Sequence, residues 1–129
     1  MIKGEPMTLR VFAVAAVLIA ATSVALGHAP KIGVNGGPQA DASSFHVEVL
    51  SRGTTLQVYL RDHSDKAVPT DGYKGTAIFV VDGKPQRIPL LPAGENRLTG
   101  TSAGAVPSEP KGVVQITTPT GSTVQAKFD

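Results

Sequence analysis

The sequence predicts an all-β protein, a small antiparallel β-sandwich of six to seven strands, with a small barrel as the alternative. Three observations predict it. Downstream of residue 27 the apolar residues alternate with polar ones at period two. Glycine, proline, asparagine and aspartate break these runs at short intervals. No apolar stripe at helical spacing runs through residues 28–129.

The strands follow in order. Phe45-His46-Val47-Glu48-Val49-Leu50 and Leu56-Gln57-Val58-Tyr59-Leu60 alternate cleanly. Ala77-Ile78-Phe79-Val80-Val81 is a denser apolar run, as expected for a strand covered on both faces. Asp82-Gly83 is a hairpin turn signal, and Gln86-Arg87-Ile88-Pro89-Leu90 is the return strand. Pro89 lacks an N–H, which puts that strand at an edge. Arg97-Leu98-Thr99 is a weak strand. Val113–Thr117 and Thr123–Phe128 close the domain as a pair around Pro119-Thr120-Gly121. The glycine-rich stretch before residue 38 reads as a flexible lead into a first edge strand.

One register can be argued from burial. With a tight turn at Arg52-Gly53, Leu50 lies opposite Thr55. Phe45, Val47 and Val49 then pair with Leu60, Val58 and Leu56, and all six apolar side chains share one face. A slip by one residue would mix apolar and polar faces. The opposite face carries His46, Glu48, Gln57, Tyr59 and Arg61, with His63 just beyond.

The 129 residues suit one domain. Lys3 and Arg10 precede an apolar run of small residues from Val11 to Ala21, and small residues follow. That order is expected of a secretory signal over residues 1–27, with cleavage after Ala25 or Gly27. The run is too short for a membrane span of about 20 residues. Residues 28–129 then form the single exported domain, periplasmic or secreted, with no membrane span after cleavage. No cysteine is present, which excludes a disulfide scaffold and any thiol-ligated metal. Residues 28–129 carry 10 Lys and Arg against 9 Asp and Glu. With no basic run to neutralise a row of phosphates, nucleic acid is excluded as a partner.

No hydrolase elbow, zinc-protease pair, P-loop or dinucleotide fingerprint occurs, so no enzyme activity is expected. Asp62-His63-Ser64-Asp65 lacks the glycine and glutamate of an EF-hand loop and reads as a turn closed by its own side chains. The candidate chemistry lies with the histidines. Cleavage after Gly27 leaves His28 first, where its α-amine and imidazole can chelate one ion together. His46 sits on the polar strand face with Glu48 two residues on. Nitrogen and oxygen donors of this kind suit Cu(II) or Zn(II). The candidate metal ligands are therefore His28, His46 and Glu48. In the argued register His46 faces Tyr59, and His63 lies four residues further on. At ~3.3 Å per residue that is ~13 Å, too far to share an ion.

His28-x-Pro30-Lys31, Asn35-Gly36-Gly37 and Phe45-His46-Val47-Glu48-Val49, with Tyr59-Leu60-Arg61-Asp62 and Asp82-Gly83-Lys84, resemble small periplasmic proteins associated with bacterial heavy-metal efflux systems. The pattern is also similar to the N-terminal β-domain of some efflux adaptor subunits, over about residues 28–100. The resemblance implies a periplasmic β-sandwich linked to transition-metal handling, with His28 and His46 as the matching positions and Glu48 a weaker one. It implies an envelope protein, such as an efflux component, as partner. The chain departs from the pattern in having neither a histidine-rich tract nor the adaptor's helical hairpin. The alternative function is a non-enzymatic envelope interaction module that docks through a strand edge without metal.

Overall fold

The computed structural model describes residues 31–129. All its regular structure is β, and there is no helix among the described residues. Nine strands follow one another: β1 (Lys31–Ile32), β2 (Pro38–Ala42), β3 (Phe45–Arg52), β4 (Thr55–Asp62), β5 (Lys74–Val81), β6 (Lys84–Pro92), β7 (Arg97–Thr101), β8 (Gly112–Thr117) and β9 (Thr123–Phe128). They form one curled antiparallel sheet in the order β1-β2-β3-β4-β7-β6-β5-β8-β9.

The all-β expectation holds, and the seven expected strands are β3 to β9. The count rises to nine because β1 forms within the stretch read as a flexible lead and β2 follows directly after it, where no alternating run marks a strand. Pro38-Gln39-Ala40-Asp41-Ala42 has little intrinsic strand preference. It is a strand because it pairs with β3 from Gln39↔Glu48 to Ala42↔Phe45.

The hairpin of β3 and β4 keeps the expected faces but shifts the register by two residues. Val47 pairs with Leu60, Val49 with Val58 and Ser51 with Leu56. The turn is a two-residue loop, Gly53-Thr54, between paired Arg52 and Thr55. Gly53 takes φ 59° at the first loop position, the requirement of a type II′ turn. That places the turn later than expected. A shift of two preserves side-chain parity, so Phe45, Val47, Val49, Leu56, Val58 and Leu60 are all buried.

The Asp82-Gly83 turn forms as expected, with both residues at positive φ and Val81 paired with Lys84. β6 is not the sheet edge that Pro89 suggested. It bridges two ladders, pairing with β5 from Lys84 to Leu90 and with β7 at Leu91 and Pro92. Pro85 and Pro89 thus lie where the named ladder partner is on one side only, the condition a strand proline needs. β8 and β9 close as a pair from Gly112↔Phe128 to Thr117↔Thr123.

The concave side of the sheet holds the core. Leu56, Val58, Leu60, Phe79, Ile88, Leu90, Leu98 and Ile116 are fully enclosed. Phe79 packs edge-on against Phe128 with ring centroids 5.8 Å apart, and Phe45 packs the same way on Tyr73 at 6.0 Å. Such contacts contribute about 0.5–1.5 kcal/mol each beyond burial. Between β4 and the start of β7, Leu60 N–H donates to the Asn96 carbonyl and the Asn96 amide donates back to the Leu60 carbonyl, both at 3.0 Å. Asn96 is buried, and these bonds offset the cost of enclosing its amide.

Candidate functional site

His46 lies on β3, on the face away from the core, as the strand alternation requires. Its Nδ1 stands 2.7 Å from Oδ1 of Asp41, its cross-strand partner on β2. The hydrogen bond from His46 is the largest cause holding the Asp41 carboxyl below its usual range, and Lys31 adds to it. A carboxylate can only accept, so Nδ1 of His46 carries the proton. The neutral ring then presents a free lone pair at Nε2. Oδ1 of Asp65 stands 3.9 Å from that Nε2, too far for a hydrogen bond.

Asp65 comes from the loop after β4, which Asp62 organises. Asp62 Oδ1 accepts from Ser64 N–H at 2.8 Å and Lys66 N–H at 2.9 Å. The Lys66 bond is the largest cause holding the Asp62 carboxyl below its usual range. The side-chain-closed turn expected for Asp62–Asp65 is therefore present, with Asp65 at φ 62° at its end. Arg61 reaches across the loop to the Asp65 carbonyl at 3.3 Å.

His63 does not stand apart from His46. The two rings meet edge to face with centroids 5.0 Å apart. The ~13 Å expectation fails because of the two-residue register shift. His46 pairs with Arg61 rather than Tyr59, so His63 lies diagonally beside it instead of four residues beyond. His63 Nε2 is 2.9 Å from the Ser43 carbonyl in the β2–β3 turn. A carbonyl only accepts, so this nitrogen also carries its proton and the free lone pair is at Nδ1. Nothing in the spacing alone pointed to His63 and Asp65. The usable signal was the turn chemistry at Gly53, which sets the register.

Glu48 is placed differently from His46, though both are on β3. Its side chain is enclosed at 1% exposure beneath the β1–β2 hairpin. Asn35 N–H donates to Oε2 at 2.9 Å and Gly37 N–H to the same oxygen at 2.8 Å. The Asn35 side-chain amide donates to Oε1 at 3.0 Å. At Gly33 and Gly37 a Cβ would run into the Glu48 carboxyl and the Val49 carbonyl respectively, so only glycine admits this close approach. The Asn35-Gly36-Gly37 segment is a cradle closed around a carboxylate of its own chain. His28 and the stretch expected to be a secretory signal fall in residues 1–30, outside the described residues.

Among the described residues no three His, Cys, Asp or Glu side chains stand as a ready-made metal cage. The site combines two imidazoles with fixed tautomers and an exposed carboxylate. Comparison of the chain with protein-family models, with curated proteins and with solved structures returns no match. The chemistry of the site therefore carries the functional reading.

Asp41 also gives a testable pH effect. A carboxyl whose pKa is lowered on folding contributes stability above its unfolded pKa. That stability is lost as pH falls through the folded value. Thermal unfolding of the parent should therefore lose stability below about pH 4 in part through Asp41. The Asp41→Asn variant should show a shallower acid limb, measured as Tm against pH. Identical limbs would show that the His46–Asp41 contact adds nothing to folding.

Proposed function

We propose that the chain is a periplasmic or secreted, non-enzymatic accessory protein that binds a transition-metal ion, Cu(II) or Zn(II), in metal handling or efflux. In this reading the strands form a small sandwich-like scaffold exported by the segment over residues 1–27. One observation carries it: Asp41 holds Nδ1 of His46 and leaves Nε2 free on the outer face of β3. Metal-ligating histidines commonly donate their second nitrogen to a carboxylate, which fixes the tautomer and raises ligand basicity. The His46 side chain is 15% exposed, so the ring is held by its neighbours, while the Asp41 and Asp65 side chains beside it are 51% and 69% exposed. Soft Cu(I) is disfavoured, since residues 28–129 contain neither Met nor Cys. His28 remains a donor offered by the sequence alone. Glu48 is left to the hairpin it holds.

His46→Ala should lower Cu(II) or Zn(II) affinity at least about tenfold in titration calorimetry on the exported protein. Asp41→Ala should cost about 10–100-fold, the usual effect of losing a group that orients a metal-bound histidine. Parent binding no tighter than that of a protein with as many surface histidines would sink the reading. A second reading, the envelope interaction module, is favoured by the sheet's open end. There Ile32 and Val34 are 63% and 65% exposed. Ile32 lines a groove of about 490 Å³ between β2 and β9, together with Pro38, Pro110 and Phe128. A metal-free parent that still associates with an efflux component, and loses it on Ile32→Lys, would favour that reading.

A further inference from the structure

We infer that the metal ligands around His46 are supplied by the loop after β4, with Asp65 as oxygen donor and His63 as second imidazole. This rests on the proposed metal-binding function and names the ligand set of that site. The set differs from the one expected at sequence level, in which His63 stood apart and Glu48 joined His46.

Two distances carry it. Two metal–ligand bonds of about 2.05 Å each span at most about 4.1 Å. A tetrahedral ion with such bonds holds its ligand atoms about 3.3 Å apart, so the 3.9 Å between His46 Nε2 and Asp65 Oδ1, outside hydrogen-bond range, closes onto one ion with a small turn of the exposed Asp65 side chain. Two imidazoles bound to one tetrahedral ion by bonds of about 2.05 Å bring their ring centroids about 5 Å apart. The rings of His46 and His63 are 5.0 Å apart.

The tautomers agree with this arrangement. Asp41 holds the proton of His46 on Nδ1, and the Ser43 carbonyl holds that of His63 on Nε2. Each ring keeps one lone pair, on Nε2 and Nδ1 respectively, and neither orienting contact needs to break for the ion to bind. The ion displaces no buried hydrogen bond. By contrast, ligation by Glu48 would have to displace the N–H groups of Asn35 and Gly37.

Because Asp65 is exposed, its side chain can turn onto the ion without disturbing the core, while His63 stays on the Ser43 carbonyl. Among the described residues no three such side chains already stand close enough to hold an ion, so the proposed set requires this turn of Asp65. Two imidazole nitrogens with one carboxylate oxygen select Cu(II) or Zn(II) over Ca(II) and Mg(II), which prefer all-oxygen shells. Water fills the remaining positions.

The test is Cu(II) and Zn(II) titration of the exported protein and of His46→Ala, His63→Ala and Asp65→Asn, with Cu(II) electron paramagnetic resonance on each. Both loop substitutions are at exposed positions, and circular dichroism on each variant checks that it folds. The parent should show nitrogen couplings from two imidazoles. His63→Ala should reduce them to one and weaken binding at least about tenfold, since even an outer-shell loss costs that much. Asp65→Asn should weaken binding several-fold and leave both nitrogens in place. If His46→Ala loses binding while His63→Ala and Asp65→Asn keep parental affinity and spectrum, the ligand set is wrong and the metal-binding reading stands. If the parent itself binds neither ion, both fall.

Discussion

Val58→Asp should unfold the domain at room temperature or leave it barely folded. Val58 lies at the middle of β4, paired with Val49 on one side and Leu98 on the other. All three are fully buried. A carboxylate there meets no cation or polar partner, and it must either stay charged in an apolar core or bind a proton at neutral pH. The lost packing of the valine adds to that cost. Together they amount to about 4 kcal/mol or more, against a total stability of about 5–15 kcal/mol for a domain of this kind. At about 4–8 °C per kcal/mol, Tm should fall by about 20 °C or more. Tyr59→Ser is the control from the adjacent position on the opposite face. The Tyr59 hydroxyl donates only to Gln57, on the partly exposed side of the sheet, and its loss should cost about 1 kcal/mol. Equal losses from the two substitutions would mean that the faces of β4 are assigned the wrong way round.

Glu48→Ala should be the second most damaging change, and for a different reason. It removes no apolar packing of consequence. It leaves the N–H groups of Asn35 and Gly37 and the Asn35 side-chain amide without their acceptor. Each orphaned donor costs about 1–3 kcal/mol when it stays buried. Because the hairpin can open partly to water, the total should be about 2–4 kcal/mol rather than the full sum. The loss should be local: amide exchange should speed up in β1 and β2 before it does in β4 or β5. Glu48→Gln should fall in between, since the amide keeps one acceptor oxygen but turns an N–H₂ toward the donors. Metal affinity measured on the folded fraction should be unchanged in both variants. A drop comparable to that of His46→Ala would restore Glu48 to the ligand set.

Much of the fold was legible in the sequence because burial and alternation act through the same residues. Val47, Val49, Val58 and Leu60 share a face in any register that differs by two residues, so the core survived a two-residue error in pairing. The error came from the turn. Arg52-Gly53 and Gly53-Thr54 are both short loops on paper, and only the φ that Gly53 takes at the first loop position decides between them. β1 and β2 were not legible because tertiary pairing, not local preference, makes Pro38–Ala42 a strand.

The site was legible in part. His46 could be placed on the polar face from period two alone. Its carboxylate partner Asp41 could not, because the strand that carries it was unseen. His63 depended on the register, so the turn error became an error in distance. Glu48 shows the limit of reading a strand face as exposed. It has the parity of His46, yet the β1–β2 hairpin folds over it, and residues 33–37 carry no side-chain pattern that announces this.

The strand order has a kinetic consequence. Most neighbours in the sheet are also neighbours in the chain, so the hairpins β2–β3, β3–β4, β5–β6 and β8–β9 close over a few residues each. Hairpins of this kind form in about 1–10 μs. Two pairings are different. β4 must find β7 across the whole β5–β6 hairpin, and β5 must find β8 across β6 and β7. Those two seams carry the chain entropy of long loops and should set the folding rate, as long-range pairing does in β domains generally. Leu98 and Val114 lie on them, so truncating either should slow refolding. Truncating Val124 in the last hairpin should mainly hasten unfolding.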